Sequence, residues 1–238
     1  MSVWLSGLLL FLTWSSIGLE VGEAARSAGR SGETGRADES ISEADLEEYF
    51  RRTRDALRAS PEFKADDAQT HFRLGETLHH HGDLTGAAEE FRAAIKLNPE
   101  FAEAHRRLGV VLMDRHDWAG AVEALRATVQ LREHDGEAFY WLGRALMARG
   151  EWTAAAAALE AAARLRPDDA ETYADLGLVR MVQGNPTDAI EALRLAVQLK
   201  PDNADAHHLL ETILSAQHDP ERVAQAARRI LDTLFARE

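Results

Sequence analysis

The sequence predicts an all-α fold, a right-handed solenoid of stacked helix pairs with a capping helix at each end. Three observations carry this. Gly75, Gly109, Gly143 and Gly177 recur every 34 residues. Each follows a leucine (Leu74, Leu108, Leu142, Leu176) and precedes, at fixed offsets, an alanine (Ala87, Ala121, Ala155, Ala189) and a large apolar residue (Phe91, Leu125, Leu159, Leu193). Within a unit the apolar residues fall at three-and-four spacing, as Phe139, Leu142, Leu146 and then Ala155, Leu159, Ala162, so each helix has one apolar stripe. Proline closes three of the four units, at Pro99, Pro167 and Pro201, where the residue before it leaves the helical region.

Residues 1–24 open the chain with an uncharged apolar run, Val3 to Leu19. A signal peptide, a membrane anchor and a start codon assigned too early all fit it. Small residues around Gly22-Glu23-Ala24 favour cleavage, and the lack of a basic residue before the run disfavours it. The run is at the short limit for a span, and Arg26, Arg30 and Arg36 would keep the C-terminal side cytoplasmic. The expected location is secreted, periplasmic or anchored in the cell envelope, and cytoplasmic if the leader is unused. Residues 25–41, rich in Gly, Ser and Ala, read as a flexible linker.

Ser42-Glu43-Ala44-Asp45 opens a capping helix over 43–58 within a segment 42–67. Its apolar stripe is Leu46, Tyr49, Phe50 and Leu57, with four arginines largely opposite. The four repeats follow at 68–101, 102–135, 136–169 and 170–203. Their helix pairs are expected at 69–81 and 85–97, 103–115 and 119–131, 137–149 and 153–165, and 171–183 and 187–199. The helix glycine costs about 1 kcal/mol relative to alanine, so its fourfold placement implies a close approach of two helices. The turns between paired helices carry Gly82-Asp83, His116-Asp117, Gly150-Glu151 and Gly184-Asn185; glycine there takes the left-handed C-terminal conformation cheaply. Asn185-Pro186 reads as an N-cap followed by proline at the first helical position. The second repeat departs twice: His116 replaces the turn glycine and Glu133 the closing proline, leaving Gly136 to supply the turn or the joint to act as a hinge. Residues 204–238 read as a degenerate fifth repeat, with Glu211 where glycine stood, and a last helix from Pro220.

The 34-residue frame resembles the tetratricopeptide repeat family. The resemblance implies a protein-binding scaffold whose first helices line a concave groove that takes a peptide. Carried over by register, the groove residues are Phe72 and Arg73; Arg106, Arg107, Val110 and Met113; Tyr140, Trp141, Arg144 and Met147; and Leu178 and Met181. The subset of the family that grips acidic chaperone tails wants Lys and Asn in the first unit, Asn in the second, and Lys and Arg in the third; this chain has Phe72 and Glu76, then Arg107, then Glu137 and Trp141, so that ligand is not expected. A second reading makes the chain a regulatory or targeting arm for an enzyme on another polypeptide.

A net charge of −13 argues against nucleic acid. The absence of cysteine removes disulfides, thiolate metal sites and a lipoprotein anchor. His79-His80-His81 points three ways from one helix, so no metal is expected. Glu103, Glu137, Glu171 and Asp205 sit in first helical turns, where the helix dipole accounts for them. No phosphate loop or catalytic grouping is visible, and no cofactor or enzymatic activity is expected.

Overall fold

The computed structural model describes residues 43–60, 63–216 and 219–235. The leader and linker readings fall outside them. Among the described residues every regular element is a helix, and none is long and apolar enough to cross a membrane.

The chain divides into two compact units at Ser60. The first holds α1 (Glu43–Arg58), where Glu48 accepts from Arg51 at 2.6 Å and Arg52 at 2.7 Å.

The second unit holds four antiparallel pairs: α2 (Ala68–His80) with α3 (Leu84–Leu97), α4 (Ala102–Asp114) with α5 (Trp118–Leu131), α6 (Gly136–Ala148) with α7 (Trp152–Leu165), and α8 (Ala170–Val182) with α9 (Pro186–Leu199). Then come α10 (Ala204–Ala216) and α11 (Pro220–Leu234). Each pair packs on the next, forming the expected solenoid. The helices match their predicted bounds within about one residue, because the period that defines them is also what they bury.

The repeat glycines mark steric contacts. A Cβ on Gly75 would meet Phe91 at 2.8 Å; on Gly109, Gly143 and Gly177 it would meet Leu125, Leu159 and Leu193 at 2.5, 2.7 and 2.6 Å. These four partners are fully buried, each side chain contributing about 1.5–3 kcal/mol of transfer free energy. Repeat four times, this contact sets the helix spacing within each pair.

The turns close alike. Gly82, His116, Gly150 and Gly184 all have positive φ, and the next residue's N–H reaches back to Leu78, Leu112, Leu146 and Arg180 at 2.8–3.0 Å. Asp83, Asp117 and Asn185 then cap the second helices by accepting from Gly86, Gly120 and Asp188. His116 pays the conformational cost at φ 57°.

Gly136 is a correction. It is the first residue of α6, with no positive φ, and it is small because a Cβ would meet Arg166 Cγ at 2.8 Å and Leu165 Cβ at 3.0 Å. The joint without proline is closed like the others: Asp135 N–H bonds Arg132 O at 3.1 Å, as Asp169 bonds Arg166 and Asn203 bonds Lys200. Nothing in its bonding sets it apart as a hinge.

One device was missed in the sequence. His71, His105 and His207 share one register position, and each places Nε2 3.1, 2.9 and 2.9 Å from the carbonyl six residues back, at Ala65, Pro99 and Pro201. A carbonyl only accepts, so Nε2 carries the proton. The three histidines tie a first helix to the loop before it. His71 also meets the buried Glu90, Nδ1 to Oε2 2.5 Å.

Candidate functional site

The predicted groove residues lie on α2, α4, α6 and α8, and the structure divides them into three groups.

The first group is inside the protein. Met147, Leu178 and Met181 are 1 % exposed or less. Met113 and Phe72 are nearly closed as well, Phe72 within 4.9 Å of the Phe101 ring and 5.6 Å of the Phe91 ring. The expectation that these five present themselves to a ligand is corrected. The methionine register lies where a first helix meets its neighbours, and a long unbranched side chain fills that seam. Tyr140 is also buried, and burial raises its phenol pKa well above the ordinary value, Asp175 adding to it.

The second group is cationic and already paired within the chain. Arg106 Nη2 lies 2.7 Å from Glu103 on its own helix and Nη1 lies 2.5 Å from Glu137 of the next repeat. Arg107 lies 3.1 Å from Glu103 and 3.4 Å from Glu76 of the preceding repeat. His79 reaches Asp114 at 3.0 Å, and Tyr140 donates to Glu171 at 3.5 Å. Arg144 lies 5.8 Å above the Trp141 ring and 6.0 Å above Tyr140, with Nε 3.6 Å from Asp175 Oδ2. Two of the first-turn acids thus do more than meet the helix dipole: Glu137 and Glu171 join one first helix to another. Residues about 31 apart form these pairs, a spacing longer than any one helix.

The third group stays accessible: Arg73 is exposed, and Val110 and Trp141 are half-buried. Trp141 donates weakly to Glu137 at 3.4 Å. Val110 and Trp141 thus leave apolar surface on the first helices of the second and third repeats, beside arginines already paired with the chain's own acids.

Asp175 completes the picture at the fourth repeat. Burial pushes its carboxyl up to about 6, against the pull of Arg144, and Glu171, Asp169 and Asp205 push the same way. Among the described residues no cluster of His, Asp and Glu could hold a metal ion.

This architecture is matched by known proteins. The tetratricopeptide repeat profile matches residues 23–100, 81–138, 106–170 and 140–204, and the chain belongs to that family. Its fold is that of a protein–protein interaction scaffold; members are generally non-enzymatic. No curated protein matches the chain in sequence. Among solved structures, MamA protein aligns at 28% identity and TM-score 0.61, over 68% of this chain and 86% of that one. YrrB, described as a TPR protein with an unusual peptide-binding site, aligns at 23% and 0.60, over 69% and 84%. A MamA fragment from Desulfovibrio magneticus RS-1 aligns at 21% and 0.57, over 79% and 97%.

Proposed function

We propose that the chain holds a segment of a partner protein on the groove face of its first three repeats. The observation that carries this is the half-buried Trp141 indole, with Val110 on the neighbouring first helix, set among cations whose charge is already met by the protein's own acids. A partner at such a surface is selected by apolar contact, with polar groups fixing register; Trp is among the strongest interface anchors. Arg106, Arg107 and Arg144, expected to line the groove, already have acidic partners in the chain, so an acid of the ligand would have to displace one of them. YrrB, a relative in fold, has a peptide-binding site by its own description, which agrees with this reading.

We place the protein in the cell envelope on the strength of the apolar run Val3 to Leu19. Mass spectrometry of the native N-terminus tests this: cleavage near Ala24 supports export, an intact Met1 in the membrane fraction supports an anchor, and an intact Met1 in the soluble cytoplasmic fraction overturns it.

The groove is tested by affinity capture with the wild-type chain and Trp141→Ala side by side. A partner retained by the first and lost by the second, with affinity lowered at least tenfold in calorimetry, supports the reading. Equal retention by a normally folded variant overturns it.

A further inference from the structure

The groove face of the fourth repeat is covered by the chain itself. Asp175, Leu178 and Val182 form one stripe on α8 at three-and-four spacing. The counterparts of Leu178 are Glu76, Val110 and Arg144, and those of Val182 are His80, Asp114 and Ala148; His80 and Asp114 are exposed and the other four are half-buried. Leu178 and Val182 are instead 1 % and 6 % exposed. The difference is α11. In the four pairs the second helix packs against its own first helix; α11 follows α10 but packs more extensively on α8. It buries Val223, Ala227 and Leu231, spaced four apart on one face, and leaves Arg222, Arg228 and Arg229 exposed. Its end reaches the second repeat, where Phe235 stands edge-on to Trp118 at 5.7 Å. Glu211 agrees with this: at the glycine position of the fifth unit it is exposed, because no second helix closes on it.

We propose that α11 is a resident occupant of the groove, and that the partner segment is an amphipathic helix with small and aliphatic residues at four-residue spacing, which takes the place of α11 on α8. This rests on the groove reading above and extends the bound surface to the fourth repeat. A helix laid in an apolar groove presents anchors at this spacing, and α11 shows the pattern that the face of α8 accepts. Its attachment through one helical stripe and one terminal ring contact suits exchange, whereas α9 is locked by the Gly177–Leu193 contact.

The test uses the full chain and a fluorescein-labelled peptide of residues 219–235. Leu231→Asp loosens the resident helix, and the variant is expected to bind the peptide at least tenfold more tightly than wild type. Leu178→Asp added to it should abolish the gain, and a peptide with Asp at positions 223, 227 and 231 should not bind. If Leu231→Asp unfolds the repeats, Phe235→Ala, which removes the contact to Trp118, serves in the same comparison. Unchanged peptide affinity in a folded variant overturns the proposal, as does a concentration-dependent dimer that exchanges α11 between two copies. Either failure leaves the Trp141→Ala capture result standing, since that variant reads the first three repeats.

Discussion

Arg144 Nε and Asp175 Oδ2 face each other 3.6 Å apart across the joint of the third and fourth repeats, and neither atom has a hydrogen-bond partner among the described residues. Opposite charges are thus taken from water without the short, directed bonds that would offset the loss of hydration. The carboxyl responds by holding its proton to about pH 6.

That shift fixes the sign of a pH effect. The ordinary carboxyl value is 3.8, and the folded one is higher, so the native state binds more protons between the two. The stability tied to Asp175 is full below about 4 and is lost as pH rises through about 6. Asp175→Asn, which cannot ionise, should gain on wild type over that window. Urea midpoints at pH 4 and pH 7 check this; a constant difference between the two proteins would be the contrary result.

Gly143→Leu should lower stability by about 1–3 kcal/mol through overpacking, because even a Cβ there meets Leu159 Cγ and Cδ2 at 2.7 and 2.8 Å. Gly136→Ala should cost less, since a single methyl is added at the first position of α6, where it meets Arg166 Cγ at 2.8 Å and Leu165 Cβ at 3.0 Å, and alanine's preference for the helix, about 1 kcal/mol, offsets part of the strain. Denaturation midpoints of the two variants decide it, and equal values would remove the glycine–leucine contact as the spacer of the pairs.

His116→Gly should stabilise the second turn by up to about 1 kcal/mol, the cost of a left-handed L-residue, less what the ring loses against Trp118 at 5.1 Å. Gly184→Ala should destabilise by about 1–2 kcal/mol, cleanly, because nothing lies within 4 Å of the added Cβ. Thermal unfolding of the pair reads both signs.

His71→Phe with Glu90→Ala installs in the first repeat what the third already has, Phe139 with Ala158. The double variant should fall within about 1 kcal/mol of wild type, while Glu90→Ala alone should cost about 1–3 kcal/mol by taking the partner from Nδ1 of the half-buried His71. A double-mutant cycle in urea measures the coupling, and simple additivity would count against it.

The periodic parts were the legible parts. Glycine at one register, apolar stripes and turn residues all act within a single pair, so Gly143, Leu159 and Gly150 could be placed from their neighbours in sequence. The groove was less legible because its boundary is tertiary. Met147 and Trp141 both sit on α6, and only the packing of the adjacent pairs decides that the first is inside and the second is not. The arginine pairings escaped because Arg107 and Glu76 meet across two helices. The seat of α11 had a signal that went unread: only the fourth repeat puts aliphatic residues at both positions, Leu178 and Val182, where the others have Glu76 with His80, Val110 with Asp114 and Arg144 with Ala148, and Val223, Ala227 and Leu231 offer a matching stripe.

The ring contact of Phe235 with Trp118 has a mechanical side. A stack joined only between neighbours bends like a spring, its curvature the sum of small rotations at each joint. A rod of 15 residues, roughly 22 Å at 1.5 Å per residue, joining the fourth repeat to the second acts as a chord across that arc. While the chord is in place the three repeats it subtends cannot straighten independently, and its release would free the two joints between them together.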